Sequence, residues 1–514
     1  VPAAVTKTGV PIALSGFEGQ DVRSLLDRQA AMRGDATFIV WEPFDGDTAR
    51  WTYRAFRDQV RRTAAGLLAR GIVPGDRVLI HLDNCPEFLM LWLGCAYAGA
   101  VAVTTNTHST PADIAYFAEH SGAVAGFTEP DYAEAVRNAL PPSAWLETIA
   151  PGYGLALSGD PASLPERAHD PLAPFGIQYT SGTTARPKAV LWSHANALWG
   201  ARVSAMHEAL LPEDIHLVFL PLFHTNAQVY STLASLWAGA TIVLQPRFSA
   251  SRFWEVAVRN ACTWTSVVPF CAMALLERPA PAEHSFRFFG AAVRLPAIEE
   301  RFGVKTVTWW GMTETVTHGI VSSPTYAPAA MGMGFASPAY EILVLDAEMQ
   351  PTLPGEVGDL YVRGRRGLSL FVEYVGDPEA TRNAFTVDGL FITGDRVRLG
   401  VDGTLFFVER AKDMLKIGGE NVAASEIERV IAGVPGVREV AVASKPHPML
   451  DEVPVAFVVV SAPSGDLLAR IAAACTLSLA IFKHPAEIRL VDDLPRSTLN
   501  KVSKAELRAI LREG

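Results

Sequence analysis

From Asp76 onward the chain alternates short, unbroken apolar runs with longer segments of mixed polarity. "DRVLIHL" reads as a strand, the apolar stretch after Pro86 as a helix, and "AVAV" as a strand. Thr110 and Pro111 supply an N-cap and a first helical position for the next helix, and "AVAGFTE" is again strand-like. The rhythm resumes in "FGIQY", "AVLWSH", "LVFLPL", "TIVLQP", "WTSVVP", "FRFFG" and "TVTWWG". Continuous apolar strands alternating with helices predict parallel sheets covered on both faces, an α/β fold. Between about Ala336 and Arg410 the runs shorten and Gly/Asp turns separate them ("YEILVLD", "GDLYVRG", "LFITGD", "TLFFVER"), which predicts a small all-β subdomain. After Arg410 comes a compact α+β piece: a helix from Ser425, strands "REVAVAS" and "VPVAFVVV", a helix from Leu467, a strand "EIRLV" and a last helix. Ser503 and Glu506 form a capping box at the start of that helix and leave Lys501 in the loop before it.

Length and composition narrow the function classes. At 514 residues the chain exceeds what one core supports, so at least two domains are expected. The net charge is −10 with no basic block, which argues against a nucleic-acid partner. The five cysteines (Cys85, Cys95, Cys262, Cys271, Cys475) are scattered without zinc spacing, so reduced thiols and a cytoplasmic location are expected. "VPAAVTKTGVPIALSG" lacks the basic region and long apolar run of a signal peptide. Phe88 to Val103 is strongly apolar but falls short of the roughly 18–20 residues of a membrane span, and Gly94 and Gly99 interrupt it. A buried helix followed by a buried strand is the expectation there.

The candidate chemistry starts at "YTSGTTARPK", Tyr179 to Lys188. The hydroxyls of Thr180, Ser181, Thr183 and Thr184 can donate to an anion. Gly182 permits close approach and positive φ, and Lys188 adds charge. The segment is not a Walker A loop, because Pro187 precedes the lysine and disfavours helix. Ser/Thr/Gly clusters are more often ordinary surface turns, so the loop alone decides nothing. Three further motifs accompany it in order. "TWWGMTET" follows a strand, "GLFITGDRV" puts Asp395 at a strand end, and "VERAKDMLKIGGENVAASEIE" with "LPRSTLNKVSKAEL" brackets the C-terminal piece.

Together these motifs resemble the adenylate-forming superfamily of acyl-CoA synthetases, amino-acid-activating domains and firefly-type luciferases, nearest to fatty-acyl and carnitine-type CoA ligases. The resemblance spans almost the whole chain from "WTYRAF". It implies a large N-terminal domain, residues 1–410, of two α/β subdomains and a β subdomain (about 336–410). A small mobile α+β domain, residues 411–514, would turn on a hinge near Lys412. It further implies a ligase that joins a small-molecule carboxylic acid to ATP as an acyl-adenylate, releasing pyrophosphate, and then passes the acyl group to CoA. The alternative recipient is a carrier protein or partner enzyme, and the protein would be a monomer or homodimer. In this scheme the loop holds the β- and γ-phosphates, Thr313 donates to the α-phosphate, and Glu314 with Thr184 positions Mg²⁺. Trp310 stands where the family usually has Tyr beside the adenine, edged by Gly290, Ala291 and Ala292. Trp309, Gly311, Met312 and Phe407 complete that surround. Asp395 suits the ribose hydroxyls, Arg410 reaches ribose or phosphate, and Lys501 bridges carboxylate and phosphate oxygens during adenylation. Lys416, Gly418, Gly419 and Glu420 would line the CoA path. The acyl pocket would lie between "PLFHTNAQ" and the Trp309–Met312 strand end, with His224 gating or packing against the acyl group. Amino-acid-activating relatives carry an Asp where Thr225 stands, so an amino acid substrate is disfavoured and an acid with an uncharged tail is expected. The chain departs from the pattern at Ala185 and Ala189, at Glu409, and at Asn500, which replaces the Gly before the lysine and still tolerates left-handed φ.

Overall fold

The computed structural model describes residues 14–152, 154–155, 157–180, 187–410, 414–460, 465–495, 502 and 504–513. The apolar stretch after Cys85 folds as the helix Pro86–Ala98, with all 13 residues buried. A helix apolar on every side belongs inside a core, between layers. Gly99 ends it at φ 82°, a left-handed cap that favours glycine, and the buried strand Val101–Thr104 follows. No helix among the described residues is long and apolar enough to cross a membrane.

Two large sheets carry the first four hundred residues. In one, the strands Arg77–His81, Val101–Thr104, Ala125–Thr128, Trp145–Thr148 and Pro174–Thr180 pair in parallel. Lys188–Ser193 then runs antiparallel to Pro174–Thr180, and the short strand Glu373–Tyr374 covers its far edge. The candidate phosphate loop therefore joins two adjacent antiparallel strands. In the other sheet, Ile215–Val218, Thr241–Leu244, Trp264–Ser266, Phe288–Ala291 and Lys305–Trp310 are parallel neighbours. Thr37–Trp41 also joins that sheet, parallel to Thr241–Leu244, and brings the hairpin strand Ala49–Thr52 with it. That N-terminal pairing precedes the rhythm that begins at Asp76, and only the tertiary partner reveals it.

After Thr225 the backbone takes a π-helix, Asn226–Leu233, before the short α-helix Ala234–Ala238. Its i→i+5 bonding is rare and concentrates at functional sites. Further on, Glu341–Leu345, Val357–Arg363, Phe391–Leu399 and Leu405–Arg410 make a four-stranded antiparallel sheet, as the Gly/Asp punctuation predicts.

From Met414 a hairpin, Met414–Ile417 with Glu420–Ala423, leads into a sheet built on Val437–His447, Asp451–Val460 and Glu487–Val491. Strand alternation splits its apolar residues between two faces. Val442, Ala456 and Val458 pack with Ile427, Ile431 and Ile471 from the helices Ala424–Ala432 and Leu467–Ser478. Ala441, Ala443, Val455 and Phe457 pack with Leu507 and Leu511 of the last helix, Lys504–Glu513. Every residue of these two cores lies at or beyond Leu415, and the buried members of the two other cores end at Leu405.

Candidate active site

The site forms where the motif strands end. The strand Lys305–Trp310 delivers Gly311 to Thr315 into a tight turn held by Thr315, whose hydroxyl accepts from the Met312 N–H at 2.8 Å. Val316, fully buried and β-branched, closes the turn at φ 64°. A β-branched residue in the left-handed region is strained, and such strain gathers at functional sites. The Thr313 carbonyl accepts the Trp192 indole N–H at 2.8 Å, which ties the turn to the strand that follows the phosphate loop.

A hydrogen-bonded chain runs inward from the Thr313 hydroxyl. Its oxygen lies 3.1 Å from the Thr225 hydroxyl, which is 2.9 Å from Gln178 Oε1. The Gln178 amide donates to Gln228, whose own amide donates to Thr104. Thr225 has one hydrogen, and Gln178 Oε1 can only accept, so Thr225 donates to Gln178 and accepts from Thr313. Thr313 thereby holds a donor that an arriving acceptor can redirect.

Glu314 is buried, 5% exposed, and its Oε1 accepts the Tyr374 phenol at 2.8 Å. Burial and the Glu314 charge push the Tyr374 phenol far up, so it stays a donor. The Lys188 ammonium sits 4.4 Å from the centre of the Tyr374 ring. One tyrosine thus links the lysine of the loop to the carboxylate of the second motif. A cleft beside Lys188 is bounded by Tyr116, His120, Tyr374 and Asp377. Thr180 lies at the end of its strand, whereas Ser181, Gly182, Thr183 and Thr184 lie outside the described residues.

At the other side of the turn, Trp310 donates its indole N–H to Asp395 Oδ2 at 2.8 Å. The expected ribose acceptor therefore also fixes the expected adenine neighbour, a bond that a tyrosine's para hydroxyl would make with different geometry. Asp395 pairs in register with Arg410 across the antiparallel strands, although the Arg410 side chain lies outside the described residues. Phe407, on the same strand, is 44% exposed. For Gly290 the structure supplies a different reason for smallness from the one expected. A methyl group there would overlap the Trp309 indole, with Cη2 as its nearest atom. Trp309 in turn stacks on His318, with ring centroids 4.7 Å apart and planes 13° apart. Gly290 seats a tryptophan of the neighbouring strand. Ala291 is buried at the end of its strand and Ala292 is half-buried just beyond it.

The C-terminal piece reaches the site through the hairpin turn at Gly418 and Gly419, which takes φ values of 59° and 94°. A Cβ on Gly419 would lie 3.6 Å from Val268, so the turn rests against the large body. Glu420, next in line, holds His224, with both carboxylate oxygens 3.2 Å from Nε2. Burial opposes the imidazolium, but the charge and hydrogen bond of Glu420 outweigh it and raise the His224 pKa. Burial likewise opposes the Glu420 carboxylate, and His224, His108 and Asn106 reverse that effect and lower its pKa. Lys416 donates its backbone N–H to Glu452 at 2.8 Å, which fixes the hairpin to its sheet. Lys412 and Lys501 lie outside the described residues. Among the described residues, no three His, Cys, Asp or Glu side chains gather as a cation site. Tyr374, Trp192, Gln178 and Thr225 complete the site without a motif to mark them, except that Thr225 follows His224.

Residues 26–374 match the AMP-binding enzyme family and residues 426–501 match the AMP-binding enzyme C-terminal domain. The chain belongs to the AMP-binding enzyme family. It is 31% identical to a crotonobetaine/carnitine–CoA ligase from Salmonella paratyphi C, over 95% of this chain and 99% of that protein. Among solved structures it resembles o-succinylbenzoate CoA synthetase from Bacillus subtilis, at 26% identity over 94% of this chain and 98% of that one. Against that protein as a double mutant bound with its product analogue, the TM-score is 0.81. Against the same synthetase in complex with AMP, with the same identity and coverage, it is 0.67.

Proposed function

We propose that one pocket, at the turn after Trp310, carries both half-reactions of this chain's ATP-dependent acid–CoA ligase activity, with an uncharged-tail organic acid as substrate. In the first step a carboxylate oxygen bonds to the α-phosphorus of ATP, and the bond to the β-phosphate breaks and releases pyrophosphate. In the second, the CoA sulfur bonds to the acyl carbon, the bond to the AMP oxygen breaks, and the thiol proton leaves to solvent. The observation that carries this reading is the Lys188–Tyr374–Glu314 link, which joins the phosphate loop to the second motif through a tyrosine distant from both in sequence. Charge builds on phosphate oxygens during the first step, and preorganised donors beside it lower the barrier.

Thr313 turns its hydroxyl from Thr225 to the α-phosphate, and Lys188 neutralises the outer phosphates. Lys501 bridges the attacking carboxylate and the phosphate. Asp395 accepts from the ribose, and Trp310, its indole held by that carboxylate, flanks the adenine. Glu314 fits a Mg²⁺ site, because a single protein carboxylate beside nucleotide phosphates is the usual company of that ion. Mg²⁺ there would stabilise the charge that builds on the phosphates, and Tyr374 orients the carboxylate that would hold it.

The small domain begins at residue 411 and turns near Lys412. The hairpin seated at Val268 and His224 is the pose that suits the thiol step, because Gly418 and Gly419 leave room for a pantetheine arm. The higher similarity to the product-analogue complex than to the AMP complex of one synthetase supports that reading. A screen of pyrophosphate release over fatty, aryl and polycyclic acids, with and without Mg²⁺ and CoA, tests the whole. Mg²⁺-dependent release, with CoA ester formed from the best acid, is the expected outcome. Release that never yields a CoA ester would move the acyl group to a carrier protein or partner enzyme.

A further inference from the structure

Behind Gly311 lies a group of polar side chains that the reaction above does not use. The π-helix Asn226–Leu233 begins just after Thr225 and brings residues five apart into line. Thr225 touches Thr313 at 3.1 Å. Tyr230, five residues on, places its hydroxyl against the same turn: a Cβ on Gly311 would be 2.6 Å from the Tyr230 oxygen. That hydroxyl makes no hydrogen bond to any described residue, although the side chain is only 5% exposed.

Deeper in, the Tyr230 ring packs on His318 with centroids 4.2 Å apart, Trp309 stacks on the same imidazole at 4.7 Å, and His207 stacks on it at 5.7 Å. His318 Nε2 stands 3.9 Å from Glu208 Oε1, and both side chains are fully buried. Among the described residues, neither ring nitrogen of His318 and neither oxygen of Glu208 has a hydrogen-bond partner. Roughly 90% or more of buried polar groups are hydrogen-bonded, so four orphaned atoms in two touching residues call for a partner that the described residues do not supply. Burial raises the Glu208 pKa and lowers that of His318, which favours the neutral form of each, and an uncharged partner fits them.

We propose that Tyr230, backed by His318 and Glu208, is a specificity-determining contact for an uncharged hydrogen-bonding group, such as a hydroxyl or carbonyl, on the tail of the acid. The proposal rests on the acid–CoA ligase reading, with the carboxylate at Thr313. The Cα atoms of Gly311 and Thr313 are at most about 7 Å apart, so a tail group at Tyr230 and a carboxylate at Thr313 share the same turn. The acid therefore carries a polar group on its tail. A pocket built to hydrogen-bond a substrate discriminates strongly against an analogue without that group, because its own polar atoms are then left unpaired.

The test uses two acids of equal length, one with a tail hydroxyl and one with methyl in its place. Pyrophosphate release gives kcat/KM for each, and calorimetry with the two acyl-sulfamoyl adenosines gives the binding ratio without turnover. Wild type is expected to favour the hydroxyl acid at least about tenfold. Tyr230→Phe should erase that preference by lowering kcat/KM for the hydroxyl acid alone. Glu208→Gln, which keeps hydrogen-bonding capacity, should retain the preference, and Glu208→Leu should lose it. Equal treatment of the two acids by wild type, or an equal loss for both in Tyr230→Phe, would overturn the proposal and leave internal water as the orphans' partner. A wild type that releases no pyrophosphate with any acid and binds neither mimic would overturn the activity reading as well.

Discussion

Tyr374 carries more of the site than any motif residue beside it, since its hydroxyl fixes Glu314 and its ring seats Lys188. Tyr374→Phe keeps the ring and removes one buried donor to a charged carboxylate, at a stability cost of about 1.5–3 kcal/mol. A second partner that orients a metal-holding carboxylate typically matters 10- to 100-fold. Pyrophosphate release should therefore fall by about tenfold or more, with a raised Mg²⁺ requirement and near-unchanged KM for the acid. Unchanged Mg²⁺ dependence would place the cation away from Glu314. Lys501→Ala should lower adenylation at least about a hundredfold while leaving thioester formation from supplied acyl-adenylate intact. At this scale the sequence exposes Thr313, Glu314, Asp395 and Lys188, because their residue types sit in ordered motifs. Tyr374 and Gln178 were not legible. A buried tyrosine and a buried glutamine reach the site only through strand pairing, and their local sequence looks like core.

The strands themselves were largely legible, since continuous apolar runs between helices admit few arrangements other than a parallel sheet. The π-helix was not, because one extra residue per hydrogen-bonded ring leaves no mark in composition. Nor was the true neighbour of Gly290, which depends on the register between Phe288–Ala291 and Lys305–Trp310. That register makes a sharp prediction. Gly290→Ala forces a methyl into the Trp309 ring and should destabilise the fold by roughly 1–3 kcal/mol, the usual cost of overpacking. Trp309→Leu opens space and also costs stability alone. In the double variant the two costs should be sub-additive by about 1 kcal/mol or more in urea unfolding. Additive costs would mean that the glycine is small for some other contact, such as an adenine edge.

At the scale of the whole molecule, the two half-reactions compete for the small domain, and the His224–Glu420 bridge biases the competition. Lys412→Pro, which fixes φ at the proposed hinge, should permit adenylation and block CoA-ester formation, with Lys412→Ala far milder. The bridge predicts a pH dependence whose sign follows from its two pKa shifts. His224 titrates above its ordinary value, so its contribution to docking is complete below about pH 6.5 and disappears as pH rises through the raised value. Glu420 titrates below its ordinary value, so its contribution is complete above about pH 4.3 and disappears as pH falls through the lowered value. The hairpin should therefore be most firmly docked between those limits and loosen as the solution turns alkaline. All five native cysteines are buried, so dyes can be placed on cysteines introduced at exposed Met206 and Leu477. Energy transfer between them should shift as pH rises through the raised His224 value, and the shift should shrink with added salt because the bridge is partly exposed. Glu420→Gln should abolish the titration while leaving the small domain folded. A wild type whose transfer is flat from pH 6 to 9 would remove the bridge from the account of domain docking. Thiol chemistry alone speeds up over that range as thiolate forms, so a thioester step that slows instead reports the bridge.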